Sequence, residues 1–267
     1  MISECSIIRE LARGGQKIVY LAEHPTIGRV VIKRGPIKSL TSLERIKREV
    51  ELLSGLQCEY YPRQYHFNID ITSKEFEIVE DYIEGIVLRD SAANFRDPLA
   101  IFTLLDKLEK GLSIIWDRNV VHRDLKPENI IIRPNGAPCI IDLGIARFLD
   151  LEELTKTISP MGPCTPIYAA PEQLTNSKNL IDQRTDFFNL GIIALELYLG
   201  VHPFDPTYVG NGYSIVENIM KSLYIVETST LPSDAALAEF AAKTLALQPY
   251  QRFRNYKILN DFTVKQI

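Results

Sequence analysis

The sequence predicts an α+β chain, with strands gathered towards the N-terminus and helices filling the remainder. Three observations predict it. Residues 7–34 alternate apolar and polar residues in three short runs, 7–11, 18–22 and 29–34, which is the two-residue period of an antiparallel meander. Beyond Asp97-Pro98, a helix start, Phe102, Leu105, Leu108, Leu112, Ile115 and Trp116 form an apolar stripe that faces a core. Residues 235–247 and 255–262 read as closing helices.

At 267 residues the chain can hold one large domain or two modest lobes around a sizeable core. A net charge of −4, with no long basic run, leaves no footprint of a nucleic-acid partner. Cys5, Cys58, Cys139 and Cys164 are widely spaced without a C-x-x-C, and the four histidines are scattered. Neither a disulfide framework nor a zinc cage is expected from that pattern. Met1-Ile2-Ser3-Glu4 lacks the basic and apolar regions of a secretory signal. No apolar run reaches membrane-spanning length; residues 190–199 are too few and include Glu196. The expectation is a cytoplasmic protein with no membrane partner.

Residues 122–129 read His122-Arg123-Asp124-Leu125-Lys126-Pro127-Glu128-Asn129, and thirteen residues after Asn129 comes Asp142-Leu143-Gly144. Between them Ile130-Ile131-Ile132 and Ile140-Ile141 flank a Pro134-Asn135-Gly136 turn. A strand–turn–strand of this length folds back on itself, which predicts that Asp142 returns close to Asp124 and Asn129. Two carboxylates, an amide and a lysine on one spot suit a metal-bound polyphosphate. Asp142 and Asn129 then hold Mg²⁺, Lys126 neutralises phosphoryl charge, and Asp124 accepts the proton of an attacking hydroxyl. The set resembles the catalytic and metal-binding loops of eukaryotic-type serine/threonine protein kinases. The resemblance spans about residues 7–262. It implies a two-lobed kinase fold: a small β-rich, nucleotide-binding lobe over 1–84 and a mainly α-helical lobe over 85–267.

That resemblance gives each element a place. Ala12-Arg13-Gly14-Gly15-Gln16-Lys17-Ile18-Val19 is similar to the kinase phosphate-covering loop, in which three glycines precede a valine. Gly14 matches the middle glycine; Ala12 and Lys17 replace the others. Glycine lets backbone approach phosphate closely, so the replacements stiffen or displace the flap, unless Lys17 itself reaches phosphate. Val30-Val31-Ile32-Lys33 matches the strand bearing the nucleotide-binding lysine, with Val31 narrowing the roof above adenine. Lys33 would hold the α- and β-phosphates, given an acidic partner. A helix beginning at the capping-box pattern Thr41-Ser42-Leu43-Glu44 supplies it. Glu49 aligns with the kinase glutamate; Glu44 and Glu51 compete, but Glu44 is explained as the cap and Glu51 lies off the favoured face.

Residues 76–80 read as another strand, and Asp81-Tyr82-Ile83-Glu84-Gly85 resembles the kinase hinge. The Asp81 carbonyl and the Ile83 amide and carbonyl would bond adenine, with Val19, Val31 and Ile131 sandwiching the base. Glu80 takes the gatekeeper position, or Val79 does if the register slips by one. Thr165-Pro166-Ile167-Tyr168-Ala169-Ala170-Pro171-Glu172 matches the substrate-binding loop, with Thr165 approaching Asp124 and Lys126. Asp186 would accept main-chain hydrogen bonds from His122-Arg123, and Arg252 would pair with Glu172, since a buried charge needs such a partner. Leu143 replaces the usual phenylalanine, completing a hydrophobic column with Leu53 and His122. Arg48, Arg123 and Arg147 match the three-arginine pocket of kinases switched by loop phosphorylation. Thr155, Thr157 and Ser159 are the candidate acceptors, while Asp150, Glu152 and Glu153 could satisfy the same arginines instead.

The expected reaction is transfer of the γ-phosphoryl of MgATP to a protein serine or threonine, the chain itself included. In the kinase resemblance Lys126 and Thr165 favour that acceptor over tyrosine. Asp124 is the base, Lys126 the charge stabiliser, Asn129 and Asp142 the metal ligands, and Lys33 with Glu49 the phosphate-holding pair. Two other classes stay open. Ala12, Lys17, Val31 and Glu80 point to a pseudokinase-type binding or scaffold module. A small-molecule phosphotransferase would share the His-x-Asp and Asn core, and would be expected to lack Ala170-Pro171-Glu172 and Arg252.

Overall fold

A computed structural model describes residues 4–14, 17–37, 39–56, 58–143, 147–148, 164–225 and 235–267. They divide into two compact units, Met1–Gly85 with Cys139–Gly144, and Ile86–Pro138 with Ile145–Ile267.

In the first unit the predicted meander is present as β1 (Ser6–Arg13), β2 (Ile18–His24) and β3 (Gly28–Pro36). Helix α1 (Leu40–Ser54) follows, then β4 (Gln64–Asp70) and β5 (Glu75–Asp81). The five strands form one antiparallel sheet in the order β1-β2-β3-β5-β4. Two expectations change here. Helix α1 starts at Leu40, so Thr41 and Glu44 lie inside it rather than at a cap; the Leu43 N–H donates to the Ser39 carbonyl at 3.1 Å, closing a turn before the capping-box pattern begins. Strand β4 was not expected at all. Its alternation of Tyr65, Phe67 and Ile69 with polar residues is real, but most of it is only half-buried at the sheet edge, so the contrast between its faces is weak.

Residues opposite one another in an antiparallel pair share a face, and neighbours along a strand alternate. Val19 opposes Lys33, Lys33 opposes Ile78, and Val31 opposes Glu80. Ala22, Val30, Ile32 and Val79 lie on the other face, where they form a buried cluster packed by Tyr20, Ile27 and Tyr65. The register therefore puts Glu80, and not Val79, on the face of Lys33.

The second unit begins with β6 (Ile86–Val87), which pairs antiparallel with β8 (Ile130–Ile132) through Ile86 opposite Ile132 and Val87 opposite Ile131. Between them run α2 (Leu88–Ser91), α3 (Pro98–Trp116) and β7 (Val120–Val121). Helix α3 starts where the sequence predicts, with the Asp97 carboxylate accepting from the Ala100 N–H at 3.1 Å. Its whole apolar stripe is buried. Strand β9 (Pro138–Ile140) passes at Cys139 into the first unit, and β10 (Arg147–Phe148), back in the second, pairs with β7. Then come α4 (Pro171–Leu174), α5 (Gln183–Leu199), α6 (Pro206–Val209), α7 (Ile215–Lys221), α8 (Ala235–Thr244) and α9 (Tyr256–Val264).

Helix α5 is the axis of this unit and is buried from Thr185 to Leu197. Helix α8 lies so close to it that a Cβ at Gly191 would collide with the Thr244 side chain. Phe102 of α3 meets Phe240 of α8 edge-on at 5.9 Å, and Trp116 meets Phe187 of α5 in the same way at 5.2 Å. Among the described residues no helix is long and apolar enough to cross a membrane.

Candidate active site

The catalytic-loop motif is held from beneath by a buried carboxylate. Asp186, in the first turn of α5, accepts from the His122 N–H and the Arg123 N–H at 2.9 Å each and from the Trp116 indole N–H at 2.8 Å. Burial pushes its carboxyl pKa up, while His122 and these three donors oppose that. Arg123 has a left-handed backbone, φ 70°, which a side chain rarely adopts. Its N–H is fixed by Asp186, and its carbonyl accepts from the Gln173 amide at 2.8 Å. Gln173 in turn accepts from the Ala170 N–H at 3.1 Å, so one buried side chain ties the backbone at Ala170 to that at Arg123. Strain of this kind persists only where its surroundings over-determine it.

The consequence is the placement of Asp124. Its Oδ1 accepts from the Thr165 hydroxyl at 2.7 Å and the Thr165 N–H at 3.0 Å. Lys126 Nζ donates to the same hydroxyl at 2.6 Å and lies 3.3 Å from Asp124 Oδ2. Asn129 donates its amide N–H to the Asp124 carbonyl at 2.8 Å. Beside them burial pushes the Cys164 thiol up to about 11, which keeps it protonated and poorly nucleophilic.

Beyond this cluster, Glu172 and Arg252 form a two-toothed pair at 2.7 and 2.9 Å, both essentially inaccessible to water. Thr185 donates to Glu172 at 2.8 Å, and Arg252 also donates to the Ala246 and Arg184 carbonyls. A second network was not foreseen. Arg89 of α2 bonds Glu128 and Glu196 at 2.7 Å each and the Tyr168 hydroxyl, which itself donates to Glu196 at 2.6 Å. Burial and the neighbouring Glu196 carboxylate hold the Tyr168 phenol well above its ordinary pKa.

In the first unit Lys33 Nζ lies 2.6 Å from Glu80 Oε1, and both side chains are almost wholly buried. Glu80 Oε2 is buried with no hydrogen-bond partner among the described residues. Lys17, just ahead of β2, makes an ion pair of 2.5 Å with Asp142, whose backbone is left-handed at φ 68°. The Gly14 N–H donates to the Lys17 carbonyl at 2.9 Å, and Ala12 opposes Val19. The Asp81 carboxylate accepts from the Tyr65 hydroxyl at 2.5 Å and the Arg63 N–H at 3.0 Å, which fixes the end of β5. Ile83 follows in a half-buried stretch, and Leu143 is buried.

The side chains of Arg48, Glu49, Leu53 and Arg147 lie outside the described residues, as do Thr155, Thr157 and Ser159. Arg123 is buried.

Residues 5–262 match the family described as protein kinase domain. The chain is 32% identical over 209 residues to the serine/threonine-protein kinase pkn2 of Myxococcus xanthus, covering 74% of this chain and 25% of that protein. It is 29% identical over 254 residues to pknA2 of Bifidobacterium longum, a probable serine/threonine-protein kinase, covering 91% and 32%. To the serine/threonine-protein kinase PrkC of Bacillus subtilis it is 28% identical over 259 residues, covering 92% and 38%. The chain thus spans about a quarter to two-fifths of the length of these relatives. With a match over nearly its whole length, a five-stranded antiparallel sheet in one unit and helices in the other, the chain belongs to the protein kinase domain family and has its two-lobed fold.

Proposed function

We propose that this chain transfers the γ-phosphoryl group of ATP to a serine or threonine hydroxyl of a protein. The observation that carries the reading is the Thr165 hydroxyl, which donates to Asp124 at 2.7 Å while accepting from Lys126 at 2.6 Å. A general base must reach an attacking hydroxyl at this distance, with positive charge beside it for the phosphoryl oxygens. Asp186 and Gln173 hold the loop in advance, so little reorganisation remains when a substrate arrives. The names of the bacterial relatives support the acceptor class. Lys33 would take the α- and β-phosphates, Asp81 and Ile83 the adenine edge, and Val19, Val31 and Ile131 its faces.

The residues proposed as metal ligands fit Mg²⁺. Asn129 commits its NH₂ to the Asp124 carbonyl, which leaves the amide oxygen as its donor, and Asp142 offers a partly exposed carboxylate. Both are hard oxygen ligands of the kind Mg²⁺ takes alongside phosphates and water. Among the described residues no three His, Cys, Asp or Glu side chains form a metal cage of their own. When bound, Mg²⁺ would neutralise phosphate charge.

A second reading, a nucleotide-binding scaffold without transfer, is favoured by Glu80, a carboxylate on the very lysine the phosphates need. Incubation with γ-labelled ATP, magnesium and a generic protein substrate separates the two. Label on serine or threonine supports transfer; nucleotide binding without any label supports the scaffold.

A further inference from the structure

Lys17, just ahead of β2, stands where the kinase resemblance calls for glycine, and that lysine is not idle. Lys17 closes on Asp142 at 2.5 Å, with about a fifth of its side chain exposed and a third of that of Asp142. It stands two positions before Val19, whose face of the sheet also carries Lys33. Lys33 is answered by Glu80 at 2.6 Å in a nearly dry setting, where an ion pair is hard to separate because each charge alone would be costly to bury. A polyphosphate arriving here therefore meets a lysine whose charge is already largely cancelled. The Lys17 pair is wetter and can be exchanged at far smaller cost.

Building on the nucleotide reading above, we propose that Lys17 is a second phosphate-directed cation, stored on Asp142 and released to the nucleotide when a divalent cation takes that carboxylate. Its ammonium sits on a flexible stem with three donors, suited to following a phosphate as a point charge. The swap conserves pairing. Asp142 exchanges an ammonium for a divalent ion, and Lys17 exchanges a carboxylate for phosphate oxygens. It also accounts for the departures at Ala12 and Lys17: backbone N–H contacts that glycines would allow are replaced by a side-chain charge. Lys17 and Asp142 then report on one another, since divalent ion alone must displace Lys17, whereas ion with nucleotide gives it a new partner.

The test is calorimetric titration of the wild type, Lys17→Met and Lys17→Arg with MgATP and with adenosine, plus Mn²⁺ alone followed by electron paramagnetic resonance. Lys17→Met should weaken MgATP binding by about tenfold or more, as expected for loss of one charge-assisted phosphate contact. Adenosine affinity should stay within about twofold, because no phosphate is involved. Mn²⁺ alone should bind Lys17→Met more tightly than the wild type, and Lys17→Arg should keep most of the MgATP affinity. Equal MgATP affinity in wild type and Lys17→Met overturns the proposal and leaves the nucleotide reading intact. Parallel loss of MgATP and adenosine binding also overturns it, since Lys17 would then only shape the turn. A folded wild type that binds no MgATP removes both.

Discussion

Replacing Glu80 by methionine would remove a carboxylate 2.6 Å from the Lys33 ammonium in a setting with almost no water. Removing one partner of a buried pair costs about 3–5 kcal/mol. Part of that is returned, because Glu80 Oε2 is itself buried without a hydrogen-bond partner among the described residues. Such an atom costs about 1–3 kcal/mol, and that penalty leaves with the carboxylate. The expected net loss is therefore about 2 kcal/mol. With a urea slope of about 3 kcal/mol/M the unfolding midpoint should fall by about 0.7 M. The double variant Lys33→Met, Glu80→Met removes both charges and should recover most of the loss, since buried pairs exchange for apolar residues at little cost. Urea unfolding of the four proteins closes a double-mutant cycle, and the coupling energy should reach about 2 kcal/mol. A coupling below about 0.5 kcal/mol would show that Glu80 does not hold Lys33 in solution.

The same Glu80→Met protein should bind ATP-competitive inhibitors with an apolar group directed past Glu80 at least about tenfold more tightly, by titration against wild type. Arg252→Met leaves Glu172 buried with only Thr185 for a side-chain partner among the described residues and should cost about 3–5 kcal/mol in urea unfolding. Gln173→Leu removes the links to the Arg123 carbonyl and the Ala170 N–H, and should lower kcat well over tenfold with little change in the KM for ATP. Glu109 accepts from Thr263 and Asn260, yet burial raises its carboxyl pKa to about 7. The folded state thus binds this proton more tightly than the unfolded chain. Stability from this group is full below about pH 4.5 and declines as pH rises towards about 7, by ~3 kcal/mol in all. Glu109→Gln should flatten that part of a pH series of unfolding midpoints.

Much of the fold was legible because its signals are local. The meander rests on two-residue alternation and α3 on an aspartate–proline start followed by a stripe, and both are satisfied within a few residues of chain. Asp124, Lys126, Thr165, Asp186, Glu172 and Arg252 were placed from motif spacing, and within the second unit the structure joins them as the kinase resemblance implies. Contacts that join residues far apart along the chain leave no local signal in the sequence. Arg89 meets Glu196 across 107 residues, and Gln173 meets Arg123 across 50, with no periodicity to announce either. Strand β4 was hidden by weak contrast between its faces, and the start of α1 by a carbonyl, which no side-chain pattern reveals. The choice between Glu80 and Val79 needed the sheet register, because a slip of one residue exchanges the two faces.

The most direct test of the central claim compares wild type with Asp124→Asn, measuring transfer of label from γ-labelled MgATP to protein serine or threonine beside MgATP affinity by calorimetry. If Asp124 is the base, the variant should bind MgATP within about threefold of wild type and transfer phosphoryl at least about a hundredfold more slowly. Transfer by Asp124→Asn at close to the wild-type rate would contradict the account.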